Sequence, residues 1–172
     1  MKKFVRLVLV SALALISFES FSQTVHAAGA SDNDYVHTFK TTKLYAMKPE
    51  TSNDWTPEFT EVTDRALSAN TDWYTDGFRH SPEYLRGYHR VATNEWVKAE
   101  DIIYVENPDV KYPTEISGPL YSFDFNSYKG KELKNKTLPS GNWVIGSLIS
   151  LPDHTGFMQV GDNEWLKMFG EG

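Results

Sequence analysis

The segment Val91-Ala92-Thr93-Asn94-Glu95-Trp96-Val97-Lys98 returns near the C-terminus as Val160-Gly161-Asp162-Asn163-Glu164-Trp165-Leu166-Lys167. A shared Val, then Asn-Glu-Trp, an aliphatic residue and Lys is a long match for a chain of 172 residues. Internal self-similarity of this kind constrains the fold more than any composition statistic, because each copy must be one structural unit. The match extends outward. Leu44-Tyr45-Ala46 aligns with Leu120-Tyr121-Ser122, Leu67 with Leu138, Trp73 with Trp143 and Tyr88 with Phe157. Trp73 and Trp96 lie 23 positions apart, and Trp143 and Trp165 lie 22 apart. Extra residues in the first copy, around Trp55 and Pro82, fall between the patterned segments, where loops accept insertions.

The N-terminus reads as a secretory signal, residues 1–27. Lys2, Lys3 and Arg6 precede an apolar run from Leu7 to Phe18, and Val25-His26-Ala27 is a small-residue cleavage site. Glu19 ends the apolar run short of the roughly 20 residues a membrane span requires, and no second such run follows. We therefore expect a secreted protein cleaved after Ala27, with no membrane span in the mature chain. Removing Lys2, Lys3, Arg6 and Glu19 changes the formal charge from −6 to −8. An overall basic footprint for nucleic acid is missing, and no nucleic-acid partner is expected. There are no cysteines, which excludes a disulfide framework, a thiolate metal site and a Cys nucleophile together.

The mature chain reads as all-β. Short runs of β-branched and aromatic residues alternate with polar ones between Gly, Pro, Asn and Asp punctuation. Residues 28–34 form a flexible leader, and residues 47–60, with Pro49 and Pro57, a long loop. Residues 72–78 read as a strand, and 79–87 as a loop around Pro82. Two closing hairpins are expected at 88–97 and 157–168, the first followed by a single turn at 99–101 and a strand at 102–105. Lys129-Gly130-Lys131-Glu132 reads as a hairpin turn and 143–151 as a buried strand. The segment 107–117, with two prolines, is the expected linker between a first repeat, 35–106, and a second, 118–172. No amphipathic helix is visible, so each repeat is expected to be a small barrel or sandwich, and two tandem small barrels fit the length. Each is near the lower size limit for a stable core.

With its Leu-Tyr strand, its Leu–Trp stretch and its ending Asn-x-Trp-Val/Leu-Lys, the repeat resembles the SLAP domain, the wall-attachment module of bacterial surface-layer proteins. The likeness covers nearly all of the mature chain. It implies SH3-like barrels and a cell-surface protein that binds a cell-wall polymer (teichoic acid or peptidoglycan) non-covalently. Another surface protein is the alternative partner, and a small cell-wall hydrolase the rival from a different class. Modules of this kind are usually basic, whereas this chain is acidic. The run Leu151 to Gly156 is one residue too long for a covalent wall-sorting signal.

Candidate binding residues follow from position and chemistry. Tyr45 and Tyr121 each follow a strand Leu and so point to the opposite face. Trp55 has no counterpart in the second copy and lies in a loop. Arg79, Tyr84, Arg86 and Arg90 belong to the basic stretch 79–90, and Lys131 and Lys134 to a lysine-rich stretch. Guanidinium and ammonium groups suit phosphate and carboxylate, although solvated loops have the same composition. Trp73, Trp96, Trp143 and Trp165 fit either sugar-stacking platforms or barrel core. No His-Glu-x-x-His and no Gly-x-Ser-x-Gly is present, and no carboxylate pair has acid/base spacing, so we expect no catalytic residues and no cofactor. His80, Glu83 and His89 are the one combination that brings metal-ligand types close in sequence, and no metal is expected there. Asn135-Lys136-Thr137 matches a glycosylation acceptor without consequence for a bacterial-type chain.

Overall fold

The alternating positions become strands throughout a computed structural model that describes residues 33–48, 57–81, 84–108 and 113–170. Side chains at 84–86 and 113 are outside that description, as are Trp55 and Glu83 and the expected leader peptide. Among the described residues there are thirteen strands and one 3-10 turn, Ala99–Asp101. They are β1 Tyr35–Thr38, β2 Thr42–Met47, β3 Phe59–Leu67, β4 Thr71–Tyr74, β5 Phe78–Ser81, β6 Tyr84–Ala92, β7 Glu95–Lys98 and β8 Ile103–Glu106. After residue 112 follow β9 Pro113–Asp124, β10 Lys129–Val144, β11 Leu148–Ser150, β12 Gly156–Gly161 and β13 Glu164–Phe169. The all-β reading is thus correct. The strands form an eight-stranded sheet, β10-β9-β13-β12-β11-β8-β1-β4, and a five-stranded sheet, β3-β2-β7-β6-β5. Neither sheet closes on itself.

The two sequence copies adopt the same registers. Tyr45 pairs with Trp96 across β2 and β7, and Tyr121 pairs with Trp165 across β9 and β13. Arg90 opposes Trp96 and Ala92 opposes Glu95; Gln159 opposes Trp165 and Gly161 opposes Glu164. Both tight turns put an Asn in the left-handed region, Asn94 at φ 54° and Asn163 at φ 48°. Few residues other than Gly and Asn adopt that conformation cheaply. Each Asn side chain then accepts from a strand amide, Met47 N at 3.0 Å and Phe123 N at 2.9 Å.

The period of two then sorts the core. In β2, Leu44 faces a cluster with Val36, Leu67, Val97 and Ile102, while its neighbour Tyr45 faces another with Tyr88 and Trp96. Burying each of these aliphatic side chains contributes about 1.5–3 kcal/mol relative to exposure. The same division holds in the second copy: Leu120 opposes Leu166, and the aromatic side carries Phe123, Phe157 and Trp165.

That second aromatic side is covered by the first copy. Phe123, Phe157, Trp165, Ile149 and Leu151 share one core cluster with Ile103 and Val105 of β8, flanked by Tyr35 and Phe39. β8 hydrogen-bonds β1 on one edge and β11 on the other, with Val105 opposite both Tyr35 and Ile149. The strands on either side of residues 107–112 therefore belong to one sheet and one core, and β9 begins inside the expected linker at Pro113. The turn after β9 closes the same seam: Phe125 lies edge-on to His37 at 5.5 Å between ring centroids, and Tyr128 lies 4.5 Å from Phe39.

Several local expectations shift. The segment 79–87 is not all loop, because β5 and β6 pair there with a bulge between Arg79 and Ser81. Gly87 permits that pairing: its φ is 71°, and a Cβ at this position would overlap the Arg79 carbonyl. Lys129 to Glu132 begin β10 instead of turning; the turn lies at 125–128. The run 143–151 is broken at 145–147, and Val144 is exposed.

Candidate functional site

Tyr45 is a core residue and not a surface platform. Only 9% of it is exposed; its ring lies 5.3 Å from that of Tyr88, which stacks on Phe59 at 3.8 Å. The Lys98 ammonium sits 5.2 Å from the Tyr45 ring centroid. Burial raises the Tyr45 phenol above its ordinary value, partly opposed by that ammonium. Tyr121 is half-buried, 5.6 Å from Phe157. Trp96 and Trp165 are buried. Trp73 and Trp143 are half-buried, and their indole N–H groups donate to Thr71 Oγ1 at 2.8 Å and to the Pro139 carbonyl at 3.0 Å. Trp55 lies outside the described residues, and the side chains of Tyr84 and Arg86 are undescribed.

The basic stretch 79–90 does not form one face. Arg79 is exposed on β5 and donates to the Phe78 carbonyl at 3.0 Å. Arg90 Nε donates to Asp76 Oδ1 at 2.7 Å, and this guanidinium holds the Asp76 carboxyl below its usual range. His89 is buried and stacked on Tyr104 at 4.5 Å, whereas His80 is exposed against the edge of Phe78. Both imidazoles touch the Phe78 ring, His80 at 4.8 Å and His89 at 5.0 Å, and Glu83 is outside the described residues. No group of three or more metal-ligating side chains exists among the described residues.

The lysine-rich stretch is more coherent. Lys129, Lys131, Lys134 and Lys136 are all exposed on β10, the outermost strand of the eight-stranded sheet. With Glu132 they give residues 129–136 a net charge of +3 in a chain of −6. Lys136 is engaged with Glu164 at 2.7 Å. In the ladder Lys131 lies opposite the neutral Ser122, whereas Lys129 lies opposite Asp124. A bulge between Glu132 and Thr137 twists the strand at this point. Lysines and a bulge on a long edge strand discourage pairing with another edge. They also present a line of ammonium groups that can take phosphate or carboxylate.

Among the described residues no helix is long and apolar enough to cross a membrane. Comparison of the chain with protein-family models, curated proteins and solved structures finds no match. The assignable class is therefore set by the molecule itself: an all-β protein of two open sheets, built on an internal repeat and carrying a cationic edge strand.

Proposed function

We propose that the chain is a secreted, non-enzymatic cell-surface module of the SLAP type, made of two tandem SH3-like units. It binds an anionic cell-wall polymer non-covalently. The observation that carries this reading is the concentration of exposed lysines on β10 in an otherwise acidic chain. Exposed ammonium–phosphate contacts contribute little individually, about 0.2–1 kcal/mol, and salt screens them. Three together supply about tenfold in affinity, enough to direct a module to a polymer that repeats its charge. The leader peptide supplies export, and the absence of any spaced acid/base or nucleophile motif favours binding over hydrolysis.

The test is co-sedimentation of the mature protein with purified Gram-positive walls, before and after extraction of teichoic acid. The parent sediments, salt releases it, and Lys129→Ser with Lys131→Ser and Lys134→Ser lowers the bound fraction about tenfold at low salt. Undiminished binding by the triple variant assigns the lysines to edge protection alone. Binding that survives extraction but not protease treatment of the walls identifies a protein partner. Release of soluble wall fragments identifies a hydrolase.

A further inference from the structure

A cleft lies in the first copy beside its seam with the second, which contributes Ser150, and away from β10. It has two adjoining lobes of about 560 Å³ and about 420 Å³, which share Asp34, Thr75 and Asp76. Phe78, His89, Tyr104 and Ser150 line the first lobe; Tyr74, Glu106 and Asn107 line the second. The cleft is anionic. Asp34 is held by Tyr104 Oη donating to Oδ2 at 2.6 Å and by Asn107 N donating to Oδ1 at 2.9 Å. Asp76 engages Arg90, and Glu106 is exposed. Asp34 and Glu106 thus add two carboxylates beside the Asp76–Arg90 pair.

Two further features point to a ligand. Thr75 is 5% exposed and lines both lobes, yet its hydroxyl has no hydrogen-bond partner among the described residues. A buried hydroxyl is seldom left unpaired. Tyr74 and Phe78, one in each lobe, are 55% and 38% exposed, whereas most other large rings near the seam are packed. An open aromatic ring beside carboxylates complements a ligand that presents both a flat C–H surface and a cation.

We propose that this cleft binds a saccharide carrying protonated amino groups, with ammonium groups among Asp34, Asp76 and Glu106 and sugar rings against Tyr74 and Phe78. A sugar hydroxyl supplies the partner that the Thr75 hydroxyl lacks. A lysine-rich peptide is the weaker fit, since it brings ammonium groups but no flat C–H face to lie against Tyr74 and Phe78. This site is separate from the β10 lysines and of opposite charge, so it does not depend on the wall-polymer reading.

The experiment is calorimetric titration of the mature protein with the hexamer of glucosamine at about pH 6, where amines are charged and most carboxylates ionised. The fully N-acetylated hexamer and hexalysine serve as the other arms. The glucosamine hexamer binds, and the N-acetylated hexamer binds at least about tenfold more weakly. Glu106→Gln and Tyr74→Ser, both at exposed positions, each weaken binding several-fold without changing the melting temperature, and Thr75→Val does so through the lost hydroxyl. The β10 triple serine variant binds the hexamer as the parent does, which separates this site from wall attachment. No binding, equal binding of the acetylated hexamer, tighter binding of hexalysine, or indifference to both Glu106→Gln and Tyr74→Ser overturns the proposal.

Discussion

At the scale of single residues, Asn94 and Asn163 explain why Asn-Glu-Trp is the part of the repeat most alike between the copies. Each combines a backbone conformation with a side-chain acceptor, a pairing that only Asn and Asp supply at low cost. Asn163 does slightly more, since its Oδ1 also accepts from Trp165 Nε1 at 3.1 Å, whereas Trp96 Nε1 is buried without a partner among the described residues. This asymmetry gives a graded prediction. Asn163→Gly keeps the left-handed turn and loses only the acceptor, costing about 1 kcal/mol. Asn163→Ala loses both and costs about 2–3 kcal/mol. Urea denaturation of the two variants measures the difference. Equal losses would mean that the turn conformation contributes nothing and the hydrogen bonds everything.

At the scale of elements, β1 is the strand on which the first copy hangs, because it is paired with β4 and β8 and packed against the second copy's core. Its burial has a titratable consequence. The Tyr35 phenol is pushed up to about 12, first by burial and second by the nearby Asp72 carboxylate. Tyr104 on β8 is also raised, by burial and then by its hydrogen bond to Asp34. A phenol raised in the folded state contributes stability that is fully present below the unfolded value of about 10 and is lost as pH rises through the folded value. Stability is therefore expected to hold up to about pH 10 and to fall between about pH 10 and 12. Tyr35→Phe should flatten that fall while leaving neutral stability nearly unchanged, as followed by urea midpoints across the alkaline range. A variant that falls as steeply as the parent would show that Tyr35 ionises freely in the fold. The element level is also where the sequence was most and least informative. The closing hairpins β6–β7 and β12–β13 stand where the periodicity and the Asn turns put them, since local turn chemistry determines them. β5 did not stand out, because Pro82 and a run of Arg and His mask a strand whose pairing depends on Gly87 tolerating a positive φ. Lys129 and Lys131 were equally misread as a turn: their side chains carry a turn-like composition, but it is the edge position of β10 that leaves them in solvent. The cleft residues Asp34, Thr75 and Asp76 carry no local signal, and Asp34 even reads as part of a leader, because only the pairing of β1 with β4 brings them together, with Thr75 N donating to the Asp34 carbonyl at 3.1 Å.

At the scale of the whole molecule, the two copies differ in what covers their aromatic sides. In the second copy β8 and β1 supply the cover, so Ile149 on β11 is fully buried; the register-equivalent Arg79 on β5 is exposed. An Arg and a His on that edge strand disfavour pairing with a further strand. The shared sheet has a mechanical consequence. The buried side chains Ile103 and Val105 belong to the first copy by sequence and to the second copy's core by packing. A protease site inserted between residues 108 and 113 should therefore be cut without separating the halves. The nicked protein is expected to elute at the size of the intact chain in buffer and to separate only in denaturant. Ile103→Ala removes buried volume from the seam and should cost about 2–5 kcal/mol. Its effect should reach both copies in one cooperative transition, so indole probes restricted to Trp96 or to Trp165 melt together. Two separate transitions, or halves that part as soon as the chain is nicked, would mean that the β8–β11 pairing is a weak contact between two independent units.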